Sequence, residues 1–400
     1  MVYISLGYFF LERVFFTEYF FLLGVFCLSA FFLVSAGEFT FFYLAIELQA
    51  LILYTLASLK RYNVFSTESG LKYFVLGALS SGLLLFGISL FYGFTGVINL
   101  YEIRFLILTN FDHSIYAGIT LALVFIIAAF LFKLAAAPFH IWLPDVYDGA
   151  PTPIVIFFAT LPKLAVIFFI IKFYLLVLIE CGAVWHTSIF ISGLLSVLWG
   201  TFAALNQLSI KRLYAYSAVV NVGYLLISMS YGALENFANV LNYLFPYLFS
   251  TVAVFSVILL FRKVSTLRKI KFIGDFKYYF SYSTVLALSI GLIFFSLAGI
   301  PPLAGFFTKF FLFRAIFLTD FLTNFVIFVV LITSVVSAFY YIRVVRFTFF
   351  YNVRNPILFV SLEFAGALLL VSVVFGLCLF MLVQPLFLST AVNLISAFCL

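Results

Sequence analysis

Four ionisable residues stand in stretches too apolar to solvate them. Glu47 lies in FTFFYLAIELQALILYTLASL, Lys133 in FLFKLAAAPFH, Lys163 in FFATLPKLAVIFFIIKFYLL and Lys309 in LAGIPPLAGFFTKFFLF. An ion at the centre of a bilayer costs at least about 2.5–3.5 kcal/mol, so such groups rarely persist without a use. Several buried lysines beside one buried carboxylate point to proton handling. Desolvation weakens a lysine's hold on its proton, and a nearby carboxylate strengthens it again. Moving one charge through 100 mV costs about 2.3 kcal/mol. One pKa unit is worth about 1.4 kcal/mol, so modest changes in spacing or wetting are enough to load or release a proton. An arginine stays charged and could not do this.

The elements that position these groups are interrupted helices. Lys133 precedes Pro138 by about one turn, Pro162 directly precedes Lys163, and Lys309 follows the Gly299-Ile300-Pro301-Pro302 run. A proline removes a backbone donor and loosens the helix around it. Such breaks are tolerated in lipid only where they line a cavity or are buried in protein. Glu47 is eight residues past Phe39, about 12 Å deep in a helix. Lys72 opens an apolar run near a basic loop and is either accessory to the relay or snorkels to the interface. His140 sits inside the first break and is either a relay group or simply hydrogen-bonded. Asp145 and Asp148 suit a helix cap or turn better than a metal site. Lys172 and Arg314 stand toward the ends of their runs, where snorkelling suffices.

The whole chain agrees with a membrane setting. Its 400 residues are 66% hydrophobic and 9% charged, against about 25% charged in soluble domains. Its apolar runs approach or exceed the ~20 residues of a membrane helix, which excludes the short alternating strands of a barrel. The reading is an all-α polytopic membrane protein with about eleven transmembrane helices. Their expected spans are 19–36, 39–59, 70–93, 115–147, 153–179, 187–205, 212–230, 236–261, 282–318, 322–347 and 361–387. The fourth is broken at Ala137-Pro138 and the ninth at Gly299–Pro302. Residues 1–18 form an interfacial lead-in and 361–400 a last helix and tail. Cys27, Cys181, Cys378 and Cys399 have no metal or redox spacing and read as small buried residues. The excess of Phe, 59 against 3 Met, matches AT-rich coding DNA such as many mitochondrial genomes have.

Loop charge orients the chain. Taken alternately, one set of loops holds Arg13, Lys60, Arg61, Lys211, Arg212, the basic loop 262–281, Arg343, Arg346 and Arg354. The other holds Arg104 with Glu180, Glu235 and Asp320. The +7 formal charge thus reflects orientation, not nucleic-acid binding. The basic side is the matrix or cytoplasm, and loop 262–281 is expected to meet lipid headgroups or a soluble partner. The two proline-broken helices hold equivalent places in 19–179 and 187–347, so these segments read as two five-helix repeats, the second inverted.

These stretches resemble one family. Lys133–Pro153, KLAAAPFHIWLPDVYDGAPTP, resembles the antiporter-like membrane subunits of NADH:ubiquinone oxidoreductase (respiratory complex I). ESGLKYFVLGALSSGLLLFGISL, the IKRLYAYSAVVNVGYLL run from Ile210 and FSLAGIPPLAGFFTKFFLF narrow the resemblance to its chain 2 group, in order over most of residues 20–345. The resemblance implies a proton-relay axis of Glu47, Lys133, Lys163 and Lys309, with Lys72 and His140 accessory. It implies proton translocation driven by redox chemistry elsewhere, with NADH, FMN, iron–sulfur clusters and ubiquinone on other subunits and no cofactor or metal in this chain. It further implies a mitochondrial inner membrane, or alternatively a bacterial plasma membrane, with lipids and the other antiporter-like chains as neighbours. The longest members carry extra helices ahead of this chain's first span; these are either dispensed with or supplied by a separate chain. The competing reading is a cation/proton antiporter subunit with no redox coupling, which the same lysines would serve.

Overall fold

The structure is a computed structural model that describes residues 16–108, 113–178, 182–263, 271–278, 284–316, 321–351, 359–361 and scattered positions between 374 and 395. It is helical almost throughout. Helices α1 (Phe16–Ser35), α2 (Phe39–Ala57) and α3 (Val64–Thr95) lead to a short helix α4 (Leu100–Leu108) that the sequence did not signal. Then follow α5 (His113–Leu134), α6 (Trp142–Gly149), α7 (Thr152–Ala159) and α8 (Leu161–Phe173), which runs on as a π-helical turn over Tyr174–Leu178. The second half holds α9 (Gly182–Leu205), α10 (Ile210–Ser230), α11 (Leu234–Leu260), α12 (Thr284–Ala298), α13 (Ala304–Ile316) and α14 (Phe321–Phe349). Strand β1 (Phe261–Lys263) pairs antiparallel with β2 (Phe359–Ser361).

Among the described residues, nine helical stretches are long and apolar enough to cross a membrane. The difference from the expected eleven has a local cause. The ninth expected span is two shorter half-helices, α12 and α13, and the eleventh, 361–387, lies mostly outside the described residues, as do 1–15 of the lead-in. Of the basic loop 262–281, the described residues 271–278 are tethered to the bundle. Ile273 and Phe276 are buried, and the Asp275 carboxylate accepts from the Lys271 and Phe272 amides. Cys27 is half-buried; the other three cysteines fall outside the described residues.

The ends of the elements are set by residue chemistry. Asn63 caps α3 through a hydrogen bond from the Phe65 amide, and Ser209 caps α10 through one from the Arg212 amide. Pro153 and Pro162 occupy first-turn positions of α7 and α8, where the missing N–H is not needed. Helix α10 is enclosed nearly all round, whereas α1, α3 and α14 turn faces such as Leu71, Phe74, Phe328 and Val335 outward. Those outward faces suit lipid, and the enclosed polar groups lie where only protein or trapped water can satisfy them.

Candidate functional site

Both expected breaks are present and end in the same way. At the first, α5 stops at Leu134, and Ala135 turns left-handed at φ 59. The Ala136 amide then reaches back to the Leu131 carbonyl at 2.8 Å. At the second, α12 stops at Ala298, Gly299 has φ 86, and the Ile300 amide reaches the Phe295 carbonyl at 3.1 Å. This is the Schellman closure of a helix C-terminus. A third interruption separates α7 from α8 at Thr160, whose φ and ψ are −113 and −81. The sequence signalled a loosening there, but not a break between two helices.

Each of the three candidate lysines stands at one of these interruptions. Lys133 is the next-to-last residue of α5; its Nζ is buried and has no hydrogen-bond partner among the described residues. The Glu47 carboxylate, on α2, acts on it electrostatically, and Glu47 Oε1 is likewise buried without a partner. Lys163 lies in the first turn of α8 and is 2% exposed. Its Nζ stands 3.4 Å from the Tyr247 hydroxyl of α11 and 5.8 Å from the ring centroid. Lys309, on α13, reaches back across the second break and donates to the Leu297 and Ala298 carbonyls at 2.9 and 3.2 Å. A cavity of about 20 Å³ is lined by Tyr243, Pro246, Tyr247, Ser250 and Lys309, among others. That volume holds about one water molecule. The structure thus joins Glu47 to Lys133, and joins Lys163 to Lys309 through Tyr247 and the cavity.

The accessory candidates fall elsewhere. Lys72 is exposed and pairs with Glu68 at 2.8 Å and Asp145 at 2.9 Å. Arg212 joins Asp145 at 3.3 Å and Asp148 at 3.2 Å, so the two aspartates are members of an ion-pair cluster at the surface. No group of His, Cys, Asp and Glu able to hold a metal occurs among the described residues. His140 is buried in the first break, its ring 5.9 Å from that of Trp199.

Two cations seated on helix ends were missed as such, Lys172 buried and Arg343 half-buried. Lys172 does not snorkel; it is buried, and its Nζ donates to the Ala36 carbonyl at 2.7 Å, just past the end of α1. Arg343 donates to the Leu205 and Gln207 carbonyls at 2.9 and 2.6 Å, at the end of α9. Both sit where a helix C-terminus concentrates negative potential.

Residues 36–337 match the family described as NADH:quinone oxidoreductase/Mrp antiporter, transmembrane. The chain belongs to that family. Within it, the chain 2 (subunit N) group is the matching branch. NADH-ubiquinone oxidoreductase chain 2 of Marchantia polymorpha is 40% identical over 357 residues, covering 87% of this chain and 70% of that one. NADH-quinone oxidoreductase subunit N of Rhodospirillum rubrum is 40% identical over 323 residues, covering 78% and 63%. The chain therefore spans about two thirds of the length of these relatives. A chain of respiratory complex I from Thermus thermophilus superposes with TM-score 0.77 at 30% identity, over 93% of this chain and 79% of that one. A chain of the Mrp complex from Dietzia superposes with TM-score 0.81 at 17% identity, over 94% and 77%, and shares the fold.

Proposed function

We propose that this chain is a proton-translocating membrane-arm subunit of an NADH:quinone oxidoreductase, moving protons through Glu47, Lys133, Lys163 and Lys309 as electrons pass through other subunits. The observation that carries the reading is Lys163. It is a lysine 2% exposed in a membrane helix, beside a helix break, and its Nζ meets the Tyr247 hydroxyl next to the cavity at Lys309. A buried ammonium with so little compensation is poised to give up its proton when its surroundings change. The names of the chain 2 and subunit N relatives support coupling to quinone reduction. On this reading NADH, FMN, the iron–sulfur clusters and ubiquinone lie on other subunits, and the neighbours are the other antiporter-like chains and lipid. The basic loops face the matrix of a mitochondrial inner membrane, and the two segments of five spans work as inverted halves around the relay. Lys72 and His140 serve as accessories on the basic side.

The test is Lys163→Met in the assembled complex in vesicles. The expected result is a lower proton yield per NADH oxidised with assembly intact; an unchanged yield removes Lys163 from the relay. Co-purification with flavin and iron–sulfur subunits separates this reading from an antiporter uncoupled from redox chemistry, which would purify without them.

A further inference from the structure

Helix α2 ends beside the basic residues Lys60 and Arg61, so its start at Phe39 lies at the opposite face. The relay uses nothing there. The Leu100 amide donates to the Gly37 carbonyl at 3.0 Å, and the Phe39 amide to the Ile98 carbonyl at 3.2 Å. These bonds hold the starts of α2 and α4 side by side. At this corner is an open hollow of about 340 Å³, lined by Gly37, Glu38, Phe41, Asn99 and Tyr101. The corner is pinned to α8, because Lys172 Nζ is seated on the Ala36 carbonyl, next to Gly37.

The groups around the hollow suit an ammonium ion. Glu38 stands at the N-cap position of α2, yet its side chain caps nothing and pairs with no cation among the described residues. Asn99 Oδ1 accepts from the Tyr101 amide at 3.0 Å and keeps a second lone pair. Phe41 and Tyr101 are 42% and 57% exposed, so both rings are within reach of a ligand, and aromatic rings attract ammonium groups. Arg104 follows Tyr101 by three residues on one side of α4, and it too has no ion pair among the described residues. A carboxylate in the hollow and a guanidinium one turn along α4 match a ligand that carries both signs of charge. The setting narrows it further. Phe31 and Phe32 of α1, Leu44 of α2 and Phe105 of α4 are exposed apolar residues around the same corner, and Phe32 meets Phe41 edge-on at 5.8 Å. Aromatic residues at the end of a membrane helix lie at the level of lipid headgroups. A soluble zwitterion leaves that apolar border uncovered, whereas a phospholipid covers it with its chains.

We infer that this hollow seats the headgroup of a phospholipid with a primary ammonium, that is, an ethanolamine lipid. The ammonium donates to the Glu38 carboxylate and to Asn99 Oδ1 beside Phe41 and Tyr101, the phosphate faces Arg104, and the acyl chains lie on the apolar border. A choline headgroup has no N–H for the two acceptors, and a glycerol headgroup has no cation for Glu38, so both fit less well. The bound lipid braces the corner from which α2 carries Glu47 into the membrane, and a ligand held only by the folded state stabilises it. The inference goes beyond the relay reading and does not draw on it.

The test uses the whole complex, partly stripped of lipid in detergent and then given phosphatidylethanolamine, phosphatidylcholine or phosphatidylglycerol. The readouts are lipid retained per complex and the thermal midpoint. In the parent, phosphatidylethanolamine is expected to raise the midpoint most. Glu38→Gln removes the charge and Gly37→Leu fills the hollow; each is expected to retain one phosphatidylethanolamine fewer and to lose part of that rise. A Cβ at Gly37 meets only Tyr101, at 4.0 Å, so the second variant has room for its side chain. Equal retention of phosphatidylethanolamine in the parent and both variants overturns the inference. A loss that falls on phosphatidylcholine or phosphatidylglycerol instead overturns the ethanolamine assignment. Loss of a protein subunit from both variants on native gels, with lipid retention unchanged, makes the occupant a partner chain and overturns it too. If Glu38→Gln does not assemble, Gly37→Leu is read by the same outcomes. Neither readout depends on proton pumping, so failure of the relay reading leaves the result intact.

Discussion

The two broken helices use one backbone device and wire it differently. Both close with a left-handed residue and a backbone bond five residues back, at Ala135 and at Gly299. At the first break the carbonyl of Phe132 receives the Trp142 indole N–H at 3.2 Å, and the Ala137 amide donates to the Ser196 hydroxyl at 2.7 Å. Lys133 is left with no hydrogen bond. At the second break the freed carbonyls of Leu297 and Ala298 are taken by Lys309 itself. An aromatic donor does at one break what a lysine does at the other. The lesson is that Lys309 has a structural duty, shared in kind with Lys172 and Arg343 at other helix ends, whereas Lys133 has none. Lys309 is held in place by two charge-assisted hydrogen bonds, and Lys133 by none among the described residues.

The largest expected effect follows from that contrast. Lys309→Met leaves two buried carbonyls unpaired, at about 1–3 kcal/mol each, so less complex is expected to assemble and its thermal midpoint to fall. Lys133→Met breaks no hydrogen bond but leaves the Glu47 carboxylate without its cation. It is expected to assemble better than Lys309→Met while pumping less. Measuring assembled complex in native gels alongside proton yield separates the two. Equal loss of assembly in both variants would erase the distinction between the breaks.

Trp142→Phe probes the first break at smaller amplitude. The ring of Trp142 stacks on Tyr73 at 4.7 Å and Phe132 at 5.6 Å, contacts a phenylalanine largely keeps. What is lost is the indole bond to the Phe132 carbonyl, which keeps the Ala135 amide at 3.0 Å, so the cost is that of one net hydrogen bond, about 0.5–1.5 kcal/mol. A thermal midpoint unchanged from the parent would mean that the Ala135 amide satisfies that carbonyl by itself and that the indole bond adds nothing to the closure of the first break.

How much of this could be read beforehand depends on how local its cause is. The breaks were legible because Pro138, Pro301 and Pro302 interrupt long apolar runs, and the helix spans because their ends carry turn residues. The Glu68–Lys72 pair was open to the same reading, being one helical turn apart. The seats of Lys172 and Arg343 were not, since their partners lie 136–138 residues away in sequence and no periodicity records such a contact. For the same reason Lys172 read as a snorkelling residue. The third break at Thr160 was half visible: Pro162 marked a weak point, but a first-turn proline is as consistent with a helix beginning as with a helix loosening.

The smallest expected effect tests the shared closure itself. A residue with a Cβ in the left-handed region costs roughly 1–2 kcal/mol, and Ala135 bears that cost at φ 59. Glycine removes it but adds freedom to the unfolded chain, worth about 0.4–1 kcal/mol. Ala135→Gly is thus expected to raise the thermal midpoint slightly, by less than about 1 kcal/mol of stability. The mirror change, Gly299→Ala, starts from φ 86 and brings a Cβ to within 3.2 Å of Lys309 Cδ and 3.4 Å of its Nζ. It should destabilise, and it should also disturb the lysine's seat on the Leu297 and Ala298 carbonyls. Opposite signs in the two variants mean that the breaks share a backbone but not a lysine. Matching signs would place the asymmetry in the chain around them and not in Lys309.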